Sequence, residues 1–195
     1  MIRLPLRRLS LRHLPLPRLR MSLGLCALLT VSPGLAWAQD MPAMVGDAPA
    51  CTAPAALPEA LASWARPVPI VSAKDKVGAK AVVLKPGQAV TMALHQTPSV
   101  TYPLRPAKPG GSVSFGGLAM FRVEQGGNWR VALGAGAWVD VVRGKVAATS
   151  IAHGHGPDCS GIRKMVDYTL EPGDYVLQIA ANGTDSLPVL VTRLP

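Results

Sequence analysis

From residue 81 onward, apolar and polar positions alternate in short runs separated by turn residues. That is the period-two pattern of strands with one buried face. Residues 81–84 run into Pro86-Gly87, and along 89–95 Val90, Met92 and Leu94 face one way. A strand over 99–104 is expected next, followed by a loop at Lys108-Pro-Gly-Gly111. Residues 118–123 and 129–133 read as a hairpin closed by Gln125-Gly-Gly-Asn128. Residues 138–142 turn at Gly144-Lys145 into a strand starting at Val146. Residues 165–170 and 174–180 flank Glu171-Pro-Gly173, and 187–194 closes the pattern. Trp129, Trp138, Tyr168 and Tyr175 fall within these runs and are expected to pack in a core.

Before the strands, residues 57–64 predict one short helix, with Pro58 in its first turn and Leu61 and Trp64 on one face. Pro67 and Pro69 end it. Eight or nine short strands and one short N-terminal helix define an all-β chain, an antiparallel β-sandwich or jelly roll. Alternation with one polar face excludes a buried parallel sheet.

The first 38 residues break the pattern. Six arginines and no acid occupy 1–20, an apolar run covers 23–37, and Ala36-Trp37-Ala38 has the small-x-small form of a cleavage site. Together they read as a secretory signal peptide, with Met21 as an alternative start. The apolar run is too short, and too broken by Pro33 and Gly34, to serve as a membrane span, so no stable anchor is expected after cleavage. Residues 39–56, rich in Ala, Pro and Met, read as a flexible arm, which leaves 57–195 as a single β-sandwich domain.

Cleavage changes the charge. The whole chain is +9, but six of its 20 basic residues lie in the signal and none of its 11 acids does. The mature chain therefore carries 14 cations against 11 acids, a net +3. With no basic cluster interleaved with aromatics, nucleic-acid binding is not expected.

Candidate chemistry gathers in the polar, glycine-rich loop 153–161. It holds His153 and His155, two of the chain's four histidines, together with Asp158 and Cys159. Cys51 and Cys159 survive cleavage, and in an exported chain two cysteines read first as one disulfide. The alternative is a pair of thiols serving a metal. His153 and His155, one residue apart, would share a face if extended and could ligate a transition metal with Asp158 as the third ligand. Met41 and Met44 beside those histidines would suit copper. Solvated histidines on a glycine-built loop are the competing reading, with no cofactor. Arg163 and Lys164 could receive an anionic ligand, or could form a solvated strand edge. Ser160 lacks the Gly-x-Ser-x-Gly elbow of a hydrolase.

Two resemblances bear on these residues. Residues 118–181, with Leu170-Glu-Pro-Gly-Asp-Tyr-Val-Leu177, resemble the pre-peptidase C-terminal type of β-sandwich domain, found appended to secreted bacterial peptidases. That resemblance implies a sandwich with a non-catalytic, accessory role. The block His-Gly-His-Gly-Pro-Asp-Cys-Ser-Gly-Ile-Arg-Lys-Met over 153–165 resembles a group of short exported bacterial proteins identified as homogentisate 1,2-dioxygenases. This second resemblance implies a dioxygenase holding non-haem iron with two histidines and a carboxylate. The cupin-type enzyme of that name places a glutamate four or five positions after its His-x-His, where this chain has Cys159 and Ser160. The iron ligands it implies here are therefore His153, His155 and Asp158, or a set that recruits His95.

The leading expectation is an exported β-sandwich binding or accessory module, periplasmic or secreted, whose partner is a small molecule or an envelope protein. A metal-dependent oxygenase using His153 and His155 is the alternative, and a copper-handling protein the third. The signal reading has a direct test: N-terminal sequencing of the mature protein should begin at Gln39. Recovery of a cytosolic chain starting at Met1 or Met21 would contradict it.

Overall fold

The alternating residues are buried because two sheets lie face to face and share them. The structure is a computed structural model and describes residues 51–53 and 55–195. The expected signal peptide, most of the expected arm, and Met41 and Met44 lie outside the described residues. Those described belong to one unit, Asp47–Pro195.

Twelve strands occur among the described residues: β1 Val68–Val71, β2 Val83–Leu84, β3 Val90–Ala93, β4 His95–Gln96, β5 Phe115–Val123, β6 Gly127–Leu133, β7 Trp138–Arg143, β8 Val146–Ala147, β9 Ser150–Gly154, β10 Lys164–Leu170, β11 Gly173–Asn182 and β12 Ser186–Arg193. The first sheet has the order β1-β3-β12-β6-β10-β9. The second has the order β2-β5-β11-β7-β8, with β4 also paired to β5. The all-β sandwich is as expected, and both sheets are mixed. β1 runs parallel to β3, and β2 runs parallel to β5, at one edge of each sheet. All other pairings are antiparallel.

Between the sheets, β6 contributes Trp129, Val131 and Leu133, and β10 contributes Val166, Tyr168 and Leu170. Opposite them stand Phe121 and Val123 of β5 and Tyr175, Leu177 and Ile179 of β11. Val90, Met92 and Leu94 join the same core, as their alternation requires. The outer faces are covered as well. The expected helix is a 3-10 helix, Glu59–Ala65, which lays Leu61 and Trp64 against Ala132, Leu190 and Ile162 outside the first sheet. On the second sheet, the short helix α1, Lys76–Ala79, brings Ala79 to Leu118, Val142 and Val176. Covering both faces explains why the central strand β11 is buried at nearly every position.

Two expectations about local structure are corrected, and one strand was not foreseen. Residues 118–123 and 129–133 do not form a hairpin: β5 lies in the second sheet and β6 in the first. The two strands meet across the core, with the Phe121 and Trp129 rings 6.3 Å apart. A glycine turn reverses the chain, and the same alternation serves a strand paired beside its predecessor or packed over it. A tight hairpin is formed instead by β7 and β8 at Gly144, whose φ is 67°.

Residues 99–104 form no strand. A 3-10 turn, Thr97–Ser99, leads into an irregular strap whose Val100, Tyr102 and Leu104 pack on the outer face of the second sheet. Its alternation records half-burial, while its polar groups bond to single sites on β11 in place of a ladder. The Tyr102 hydroxyl donates to the Ile179 carbonyl at 3.0 Å. The Gln178 amide accepts from Leu104 N–H at 3.1 Å and donates to the Leu104 carbonyl at 3.0 Å. Finally, 68–71 is a strand despite Pro69, because β1 is an edge strand and tolerates a missing N–H.

Gln178 is fully buried and its amide is the strap's main anchor. Gln178→Leu would leave the Leu104 N–H and carbonyl without partners, and is expected to lower unfolding free energy by about 2–4 kcal/mol in denaturant titration. An unchanged midpoint would show that the strap contributes nothing to stability.

Candidate functional site

The loop after β9 is built from its own residues. His153 and Gly154 end β9, with His153 opposite Val166 of β10, so the polar loop begins two residues later than its composition implies. Both histidines are exposed. His155 donates through Nδ1 to the Arg163 carbonyl at 2.9 Å, tying the two ends of the loop together. Ser160 donates to the Pro157 carbonyl at 2.6 Å, and its oxygen accepts from Ile162 N–H at 3.1 Å. Gly156 lies so close to Ile162 that an added Cβ would come within 2.4 Å of the Ile162 Cβ. Only glycine fits there.

Three anchors hold the loop to the sandwich. Cys159 forms a disulfide with Cys51, 108 residues away, with Cα atoms 5.4 Å apart. Ile162 is buried in the outer cluster with Leu61 and Leu190. The Trp64 indole N–H donates to the Ser160 carbonyl at 3.0 Å, joining the N-terminal 3-10 helix to the loop. The disulfide is consistent with an oxidising compartment.

Some of the remaining sequence candidates are brought together and others are not. His155, Asp158 and Arg163 line a shallow cleft beside the disulfide, of about 390 Å³. Among the described residues, no three His, Cys, Asp or Glu side chains are grouped so as to hold a metal ion. His95 lies on β4 in the second sheet, where its Nε2 donates to the Ser72 carbonyl at 2.8 Å.

Arg163 and Lys164 part company. Lys164 donates to the Ala137 carbonyl at 2.9 Å and stands over the Trp138 ring, 5.6 Å from its centre. Burial pulls its ammonium below the usual pKa; Lys108 adds to this and Asp140 opposes it. Burial also raises the Asp140 carboxyl, against hydrogen bonds from Trp138 and Gln178 and the charge of Lys164, which lower it. These groups satisfy one another.

A second cleft, of about 520 Å³, opens at one end of the sandwich and straddles the two sheets. Val83 and Leu84 of β2, the Lys85-Pro86 turn and Arg122 of β5 form one wall. Glu124 and Gln125 of the crossing between β5 and β6 close a side, and Trp129 and Arg193 complete the lining. The lining is mainly apolar and its rim is charged. Trp129 is 5% exposed, and its indole N–H is buried without an acceptor among the described residues. Such a donor costs about 1–3 kcal/mol when left unpaired. Phe121 packs on Trp129 and stacks on Tyr175 with centroids 5.7 Å apart, so the cleft rests on an aromatic column.

No sequence motif marks this cleft, because its residues come from five separate stretches. Reading Trp129 as core is correct as far as it goes: the indole also forms the floor. The one local signal is the charged, exposed run around Arg122 and Glu124 beside a glycine pair.

No protein-family model matches the chain, and no curated protein matches it. No helix among the described residues is long and apolar enough to cross a membrane.

The disulfide should add to stability without being needed for the strand framework. Cys159→Ser is expected to lower unfolding free energy by about 2–5 kcal/mol with the β-sheet circular dichroism retained. Thiol titration of the unreduced protein in denaturant should find neither Cys51 nor Cys159. Two reactive thiols would contradict the bridge.

Proposed function

We propose that this chain is an exported β-sandwich module that binds a small molecule in the cleft at the end of the sandwich. The observation that carries the reading is the cleft's construction: an apolar floor at Trp129 and Leu84, set on paired strands and ringed by charged side chains. Concave, mainly apolar sites with a few polar groups are the usual form of small-molecule sites, and the volume falls in their ordinary range. Seating the site on strands favours a pre-formed shape.

Export is part of the proposal. The basic, apolar and small-x-small order of residues 1–38 supports it, and the Cys51–Cys159 bridge suits a periplasmic or secreted location. In this reading the loop 153–161 is a stabilising clasp, closed by the disulfide and by its internal hydrogen bonds.

Titration of the mature protein with a panel of small amphiphiles of different charge, followed by calorimetry and tryptophan emission, tests the reading. At least one member should bind saturably, and the cleft-filling Gln125→Trp should abolish it while leaving the unfolding midpoint near that of the parent. If no member saturates, the binding reading fails.

A further inference from the structure

We infer that the end cleft selects an amphipathic anion, a small molecule with an apolar body and a carboxylate head. The inference rests on the cleft being a binding site and adds the chemistry of its ligand. Three cations line the cleft, Lys85, Arg122 and Arg193, against the single carboxylate of Glu124. Arg122 faces Asp174 at 3.5 Å, but both side chains are largely exposed, so that pair is weakly held in water. Arg193 has no acidic partner among the described residues.

Register decides where the Arg193 charge goes. Arg193 stands directly opposite Trp129 in the β12–β6 ladder, and opposed residues project from the same face of a sheet. Its guanidinium therefore shares a side with the indole. Gly127, with φ 141°, lies beneath it; a Cβ there would sit 3.6 Å from the Arg193 Nε and Nη2. That distance is ordinary contact, so the backbone angle and not space favours glycine here, and the contact places the guanidinium beside residue 127 at the mouth of the cleft.

The floor and rim thus ask for different things. Trp129, Leu84, Pro86 and the exposed Val83 offer apolar surface, which favours a hydrocarbon or ring body. Arg193 offers a planar fork of donors that matches a carboxylate, with Lys85 and Arg122 adding positive potential. A cationic amphiphile meets net repulsion, three cations against one carboxylate. A neutral one gains only the apolar contact.

Calorimetric titration with decanoate, decanol and decyltrimethylammonium separates these terms, since the three differ chiefly in head-group charge. Decanoate should bind saturably, with decanol at least about tenfold weaker and the ammonium weaker still. Arg193→Gln should weaken decanoate about tenfold and leave decanol unchanged, and added salt should weaken decanoate while leaving decanol unchanged. An unaltered unfolding midpoint for that variant excludes a folding effect, and Lys85→Gln provides a second test if the midpoint moves. Equal binding of decanoate and decanol, or an Arg193→Gln variant that binds decanoate normally, overturns the charge inference while leaving a binding cleft. Failure of all three probes, together with the wider panel, overturns both.

Discussion

The structure depends on apolar side chains of successive strands meeting face to face across the sandwich. β5 hands the chain to β6, β10 to β11 and β11 to β12, and each passage crosses from one sheet to the other. A strand is therefore packed against its neighbour in sequence and hydrogen-bonded to strands further away. The Tyr175–Phe121–Trp129 column is the clearest product of this arrangement, since its three rings come from β11, β5 and β6. Burying these rings on both sides of the interface ties the two sheets into one core.

The outer faces are closed by segments that are not strands. The 3-10 helix and the clasp loop cover the first sheet, and the strap from Val100 to Leu104 covers the second with α1. Each cover is fixed at few points: Trp64 on Ser160, the disulfide on Cys159, and Gln178 on Leu104. Such covers lack the repeated hydrogen bonds of a ladder, so individual polar side chains and one covalent bond carry the stability that a ladder would distribute. The loop richest in histidine and glycine takes part in this covering. Gly156 allows close approach to Ile162, and His155 bonds to the Arg163 carbonyl.

The end cleft follows from the same packing. Trp129 is the first inward side chain of β6 after the chain has crossed from β5 through Gly126 and Gly127. The one inward position of β6 before it is Gly127, which has no side chain to fill the space between the sheets. The short β2 and its turn form the far wall without closing it, and charged residues that cannot be buried collect at the opening. An apolar floor beneath a cationic rim is the outcome.

Alternation and turn residues by themselves determined much here. The positions of Val90, Met92 and Leu94, of Trp129, Val131 and Leu133, and of Tyr175, Leu177 and Ile179 in one core follow from period two, because a strand has only two faces. The pairing of Cys51 with Cys159 follows from their being the two cysteines left after the expected cleavage. What tertiary structure alone decided is which strands are neighbours. Alternation is identical for a strand paired beside Leu118–Val123 and one packed over it, so the crossing at Gly126 was not legible. The strap at Val100, Tyr102 and Leu104 alternates like a strand, yet its amide and carbonyl partners lie on Gln178, a residue 74 positions away. The cleft was invisible for the same reason: Arg193 reaches Trp129 only through the register of β12 on β6, and register is a property of the assembled sheet.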